Sequence, residues 1–192
     1  MLCNILLDKL PTKSPHGYKL KTNYKQGIKY ELLMQDNELT LEEKIDLALN
    51  MFFYQQELIK IKTEEELITF LEDIIWFYRC GREETKKKNE NRKGKQIFSY
   101  NFDADIIYSA FFQQYHIDLQ VENLHWWQFK SMFENLTNST RIVEIMGYRA
   151  MDISSIKNKK EKAKYKKLKE LYALPDMRTQ EQKESDFACA FL

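Results

Sequence analysis

The sequence predicts an all-α protein, a compact bundle of about six or seven helices, and three observations carry that expectation. Apolar residues recur at helical rather than alternating spacing, and no run of period two is convincing. Glycine (5) and proline (3) are too scarce in 192 residues for the turns of a β-sandwich or barrel. Capping signatures stand directly before several of the apolar runs.

Taken in order, the first twenty or so residues hold Pro11, Pro15 and Gly17 and read as an extended lead-in. Tyr24, Ile28 and the Leu32-Leu33-Met34 group predict a short helix over 23–34, interrupted by Gly27. Thr40 with Glu43 and Thr63 with Glu66 are two T-x-x-E capping boxes. After the first, Leu41, Ile45, Ala48, Phe52 and Ile59 form one stripe. Leu47, Met51, Tyr54 and Leu58 form a second, so one helix buried on two sides is expected over 41–59. After the second box, Leu67, Leu71, Ile74 and Tyr78 mark an antiparallel partner beyond a turn at 60–62, with Gly81 as its C′ residue. Residues 82–96 carry seven basic and three acidic side chains with little to bury, and read as a mobile charged loop within one domain.

Asp103 is positioned to cap a helix that carries Ile107, Ala110, Phe111 and Gln114 on one face, with Tyr108, Phe112 and Tyr115 on the next. Two further helices are expected over about 122–136 and 139–149. Asn158 with Glu161 opens a last helix along Tyr165, Leu168 and Tyr172, closed before Pro175. Residues 1–175 then form a single helical domain, and 176–192 a C-terminal tail of uncertain order.

Composition narrows the function. With 43% hydrophobic and 14% aromatic residues the chain has the material for a full core. Its 30 basic and 29 acidic residues nearly cancel, so net charge favours neither nucleic acid nor membrane. Cys3, Cys80 and Cys189 lie far apart with no CxxC spacing, which fits a reducing cytoplasm. No apolar run approaches the ~20 residues of a bilayer span, and the first residues lack a basic leader, so a soluble, unexported protein is expected.

No phosphate-cradling loop or nucleophile elbow occurs, and five glycines could hardly build them. His16, His116 and His125 have too few neighbouring carboxylates for a metal site, and a hydrogen-bonded core or interfacial histidine is the simpler reading of His116 and His125 alike. Cys80 at a helix C-terminus faces the end of the dipole that disfavours a thiolate. No catalytic residue, cofactor or metal is therefore expected.

Two segments point to binding instead. Residues 157–170 hold eight lysines against Glu161 and Glu170, a net charge of +6. That face can line phosphates, or it can be a solvated outer face with buried stems. In His125-Trp126-Trp127-Gln128-Phe129-Lys130, Trp126 and Phe129 share a stripe with Phe133 and Leu136, the pattern of a core face. Trp127 is rotated away from it, and either packs a second neighbour or stands exposed as a partner anchor.

Several ordered words resemble the gene-product-fifteen family of phage and prophage tail gene clusters. They are Trp76-Phe77-Tyr78-Arg79-Cys80-Gly81, Asp103-Ala104-Asp105-Ile106-Ile107-Tyr108-Ser109-Ala110-Phe111, Tyr115-His116-Ile117-Asp118-Leu119 and Leu124-His125-Trp126-Trp127-Gln128-Phe129-Lys130. Val143-Glu144-Ile145-Met146-Gly147-Tyr148-Arg149 and Leu171-Tyr172-Ala173-Leu174-Pro175 complete the set. The family usually has glycine where His116 stands, so a different turn is expected there. The residues after Pro175 lie outside the resemblance.

The resemblance implies a position between the major tail protein and tape-measure genes, and hence a non-enzymatic tail assembly chaperone of the host cytoplasm. Its partner would be the tape-measure protein, with the major tail protein and further copies of the chain as additional partners. Trp127, Trp126, Phe129, Tyr148 and Arg149 are the candidate protein-binding residues. A nucleic-acid-binding accessory protein using the lysines of 157–169, and a structural tail component, are the alternatives.

Overall fold

A computed structural model describes residues 4–82 and 96–176. Among them are eight α-helices: α1 (Tyr24–Gln35), α2 (Leu41–Phe52), α3 (Gln55–Leu58), α4 (Glu64–Tyr78), α5 (Ala104–Tyr115), α6 (Trp126–Glu134), α7 (Arg141–Ala150) and α8 (Lys159–Leu171). A single 3-10 turn, Ile153–Ser155, precedes α8. The described residues hold no strand, only three isolated β-bridges. The expected all-α bundle is what the chain forms. The 82–96 loop, apart from Arg82 and Gln96, and the tail from residue 177 lie outside the described residues.

Local chemistry sets the helix starts. Both T-x-x-E boxes close reciprocally: the Thr40 and Thr63 hydroxyls accept from the Glu43 and Glu66 amides, and each glutamate accepts from its cap's backbone N–H. Asn23 caps α1, and Asn158 caps α8 by accepting from the Lys160 and Glu161 amides.

Other expectations needed tertiary correction. The 41–59 run is not one helix, because α2 stops at Phe52 and Phe53 turns extended. There Phe53 is fully buried and pairs with Leu20 of the lead-in, while Lys21 N–H donates to the Phe52 carbonyl at 2.7 Å. Burial falls on one side only, along Ala48, Leu49 and Phe52, whereas Leu41, Leu47, Tyr54 and Ile59 are exposed. The helix expected from 122 begins at Trp126, because Asn23 and His125 form a bridge and Trp126 N–H donates to the Thr22 carbonyl. Those residues fix the backbone as extended before the helix can start.

The α4 terminus is a Schellman turn displaced by one residue from expectation. Cys80, not Gly81, takes the C′ position with φ of 58°, and Gly81 follows at 70°. Gly81 N–H reaches the Trp76 carbonyl at 2.9 Å and Cys80 N–H the Phe77 carbonyl at 3.0 Å. At the end of α5, His116 adopts φ of 56°, the left-handed conformation that glycine takes without strain. The turn therefore keeps a glycine-type backbone, and the exposed imidazole carries a strain of about 1 kcal/mol.

Helix α1 packs on α2 and α6, and α2 on α4; α5 packs on α7, and α7 on α8. Phe129 of α6 joins the two groups, its ring stacked at 4.9 Å on both Tyr24 and Phe111. Among the described residues, no helix is long and apolar enough to cross a membrane.

Candidate functional site: the tryptophan centre and the lysine helix

Three elements converge on Trp126 and Trp127. Carbonyls of the C-terminal turn of α4 accept both indoles: Trp126 Nε1 donates to Tyr78 O at 2.9 Å, and Trp127 Nε1 donates at 2.7 Å to Phe77 O, which also accepts from Cys80 N–H. Trp126 stacks on Tyr78 at 5.5 Å and 17°. Trp127 meets Trp76 edge-on at 5.4 Å. Helix α1 supplies Gly27, directly beneath the Trp126 ring. A Cβ at Gly27 would lie 2.3 Å from the indole, so the glycine that interrupts the α1 pattern is the notch that admits Trp126.

His125 opens α6. Its Nδ1 accepts from Trp127 N–H at 3.1 Å, and its Nε2 lies 3.0 Å from the Pro11 carbonyl. Those partners define a neutral ring with the proton on Nε2, and engage both nitrogens. Burial holds the imidazole below its ordinary value, partly offset by the Pro11 hydrogen bond. The unfolded chain therefore binds the proton more readily. Stability from the neutral cap is complete above about pH 6.5 and declines as pH falls through the folded-state value. We expect the melting temperature to fall between about pH 7 and pH 5, and His125→Asn, which can still cap, to flatten that slope. Identical acid slopes in the two proteins would refute this linkage.

A second constellation ties α8 down. Arg149 of α7 grips Asp103 through both guanidinium branches, Nη1 at 2.6 Å and Nη2 at 2.9 Å, with both side chains buried. Its Nε donates to the Tyr172 carbonyl at 2.6 Å and Nη1 to the Ile97 carbonyl at 3.0 Å. Asp103 therefore does not cap α5 with its side chain as expected; its carboxylate serves Arg149 and accepts from Ser99 N–H at 2.9 Å. Tyr148 is half-buried and stacks on Tyr172 at 5.8 Å, while its hydroxyl donates to Glu144.

The five residues proposed for partner binding thus separate into two structural groups. Trp126, Phe129 and Trp127 are core groups, exposed by 0%, 0% and 4%. Of the two readings of Trp127, packing against a second neighbour is the one realised, and the exposed-anchor reading is corrected. Arg149 is a buried ion-pair partner, and Tyr148 borders the α7–α8 seam.

The outer surfaces are elsewhere. Helix α8 has no buried residue, and Lys159, Lys160, Lys162, Lys164, Lys166 and Lys167 are all exposed. Burial raises the Cys80 thiol to about 11 against the pull of Lys130 and Arg82, so it stays protonated at neutral pH. An open polar cleft of about 460 Å³ lies among Lys21, Asn23, Gln26, Tyr54, Asn123 and Gln128. Sequence reading missed this cleft and the Asp103–Arg149 pair. Each joins segments tens of residues apart that carry no periodic signal.

These features define an all-α protein with a tryptophan-centred core and an outer helix covered in lysine. The chain belongs to the Bacteriophage Gp15 protein family, whose model matches residues 6–174. It is thus a phage-type protein, and the resemblance read from residues 76–175 extends over nearly the whole chain. No curated protein and no solved structure matches it.

Proposed function

We propose that this chain is a tail assembly chaperone that binds the tape-measure protein and keeps it soluble while the tail tube is built. Membership of the phage family over residues 6–174 is the observation that carries the reading. The surface physics supports it in a form different from the sequence expectation. The tryptophans are occupied internally, so contact with apolar stripes of a long helical partner falls to the outer aliphatic residues. Leu41 and Leu47 of α2 and Ile59 just past α3 stand exposed.

Co-expression with the tape-measure product of the same genome, followed by gel filtration with light scattering, tests the proposal. The expected result is a soluble complex with several copies per tape measure that survives moderate salt. Precipitation of the tape measure while this chain elutes alone would sink it.

The lysine surface of α8 favours a second reading, a nucleic-acid-binding accessory protein. Phosphate binding releases counterions and weakens steeply with salt, whereas an aliphatic contact does not. A structural tail component is separated by mass spectrometry of finished particles, which retain a component and lack a chaperone.

A further inference from the structure

The net charge of +1 conceals a strong segregation along the fold. Residues 36–73, which span α2 to most of α4, hold eleven acidic side chains and three lysines, a net charge of −8. Residues 157–170, which span α8, carry +6. Helix α4 packs on α2 and meets α6 at its C-terminal turn, whereas α8 packs on α7 and the 3-10 turn.

Their outward faces match in pattern as well as charge. On α4, Glu65, Ile68, Glu72 and Ile75 follow one another at i, i+3, i+7 and i+10, all exposed. On α8, Lys160, Lys164, Lys167 and Leu171 follow at i, i+4, i+7 and i+11, also exposed, with Leu171 at 70%. Neither pattern is explained by its own helix. Glutamate in the first turn of α4 complements the macrodipole, but Glu72 is mid-helix. Lysines spaced four apart on α8, Lys160 with Lys164 and Lys162 with Lys166, repel one another. Among the described residues, the ion pair α8 makes is internal, Lys166 to Glu170 at 3.8 Å.

We infer that the acidic, isoleucine-bearing face of α4 is a docking surface for α8 of a second copy of this chain. The glutamates meet the lysines, and Ile68 and Ile75 meet Leu171 and the lysine stems. Because the two surfaces differ, the contact is heterologous and repeats head to tail instead of closing as a two-fold pair. The inference stands apart from the chaperone reading, since it requires no tape-measure protein.

Sedimentation velocity of the purified chain over a concentration series tests it. The expected result is reversible growth beyond a dimer at about 50 mM salt that weakens at least about tenfold at about 500 mM. Glu65→Lys/Glu72→Lys places lysine on both surfaces, and Lys164→Glu/Lys167→Glu places glutamate on both, so each variant alone is expected to stay monomeric. Mixing them restores every pairing and is expected to restore association. All four side chains are exposed, and far-UV circular dichroism confirms that each variant is folded. A wild-type chain that stays monomeric at every concentration overturns the inference, as does association unchanged in either variant or a mixture that fails to associate. Duplex DNA shifting the sedimentation of an otherwise monomeric chain assigns α8 to nucleic acid and overturns it equally.

Discussion

Gly27→Ala is expected to destabilise the protein by about 3 kcal/mol or more, lowering the melting temperature by about 6–12 °C. On helix propensity alone the sign is opposite, since alanine in mid-helix gains about 1 kcal/mol over glycine. Packing decides the outcome. The added methyl would stand 2.3 Å from the Trp126 ring, far inside van der Waals contact. That ring cannot yield cheaply: its Nε1 is bonded to Tyr78 O at 2.9 Å, and its faces contact Tyr78 and Phe129. Either α1 lifts off α6 or the indole abandons its carbonyl. Urea titration of the variant checks the sign, and a midpoint equal to or above the parent's would refute the account.

Arg149→Met is expected to cost about 3–5 kcal/mol, because it leaves the Asp103 carboxylate buried without its cation. Asp103 is buried to a side-chain exposure of 3%, so water does not readily replace the guanidinium. The same substitution frees the Tyr172 and Ile97 carbonyls, which Arg149 otherwise satisfies. Because α8 has no buried residue, the loss at Tyr172 loosens that helix first. Limited trypsin digestion should cut at the α8 lysines much sooner than in the parent. Asp103→Asn combined with Arg149→Met removes the orphaned charge and is expected to recover a substantial part of the stability. A double variant no more stable than Arg149→Met would show that the charge is not what matters. Trp127→Ala belongs with these variants: it deletes a core indole and its bond to Phe77 O, so binding it disrupts would reflect lost fold as readily as a lost contact.

The helices were legible wherever the signal was local. The Thr40/Glu43 and Thr63/Glu66 boxes, the Asn158 cap and the Tyr165–Leu168–Tyr172 line all concern residues within a few turns of one another. The misreadings share one cause. Phe53 lies inside a run that looks helical by spacing, yet a lead-in segment about thirty residues upstream holds its backbone extended. Asp103 looks like a cap, yet an arginine from α7 takes its carboxylate.

The candidate site was legible as composition and not as geometry. The aromatic word at 125–130 marked Trp126 and Phe129 as a core face and left Trp127 open, and the lysine count marked the outer helix. Which way each tryptophan pointed depended on where α4 ends, because its terminal carbonyls are the acceptors that draw both indoles inward. By itself the sequence determined the all-α class, the starts of the helices with capping signatures, the family and the segregation of charge, since periodicity, caps and charge are properties of neighbouring residues. Only the tertiary structure decided that Trp127 is core, that Gly27 is a notch and that Arg149 is an internal tie. Each depends on which distant residue supplies a carbonyl, a gap or a counter-charge.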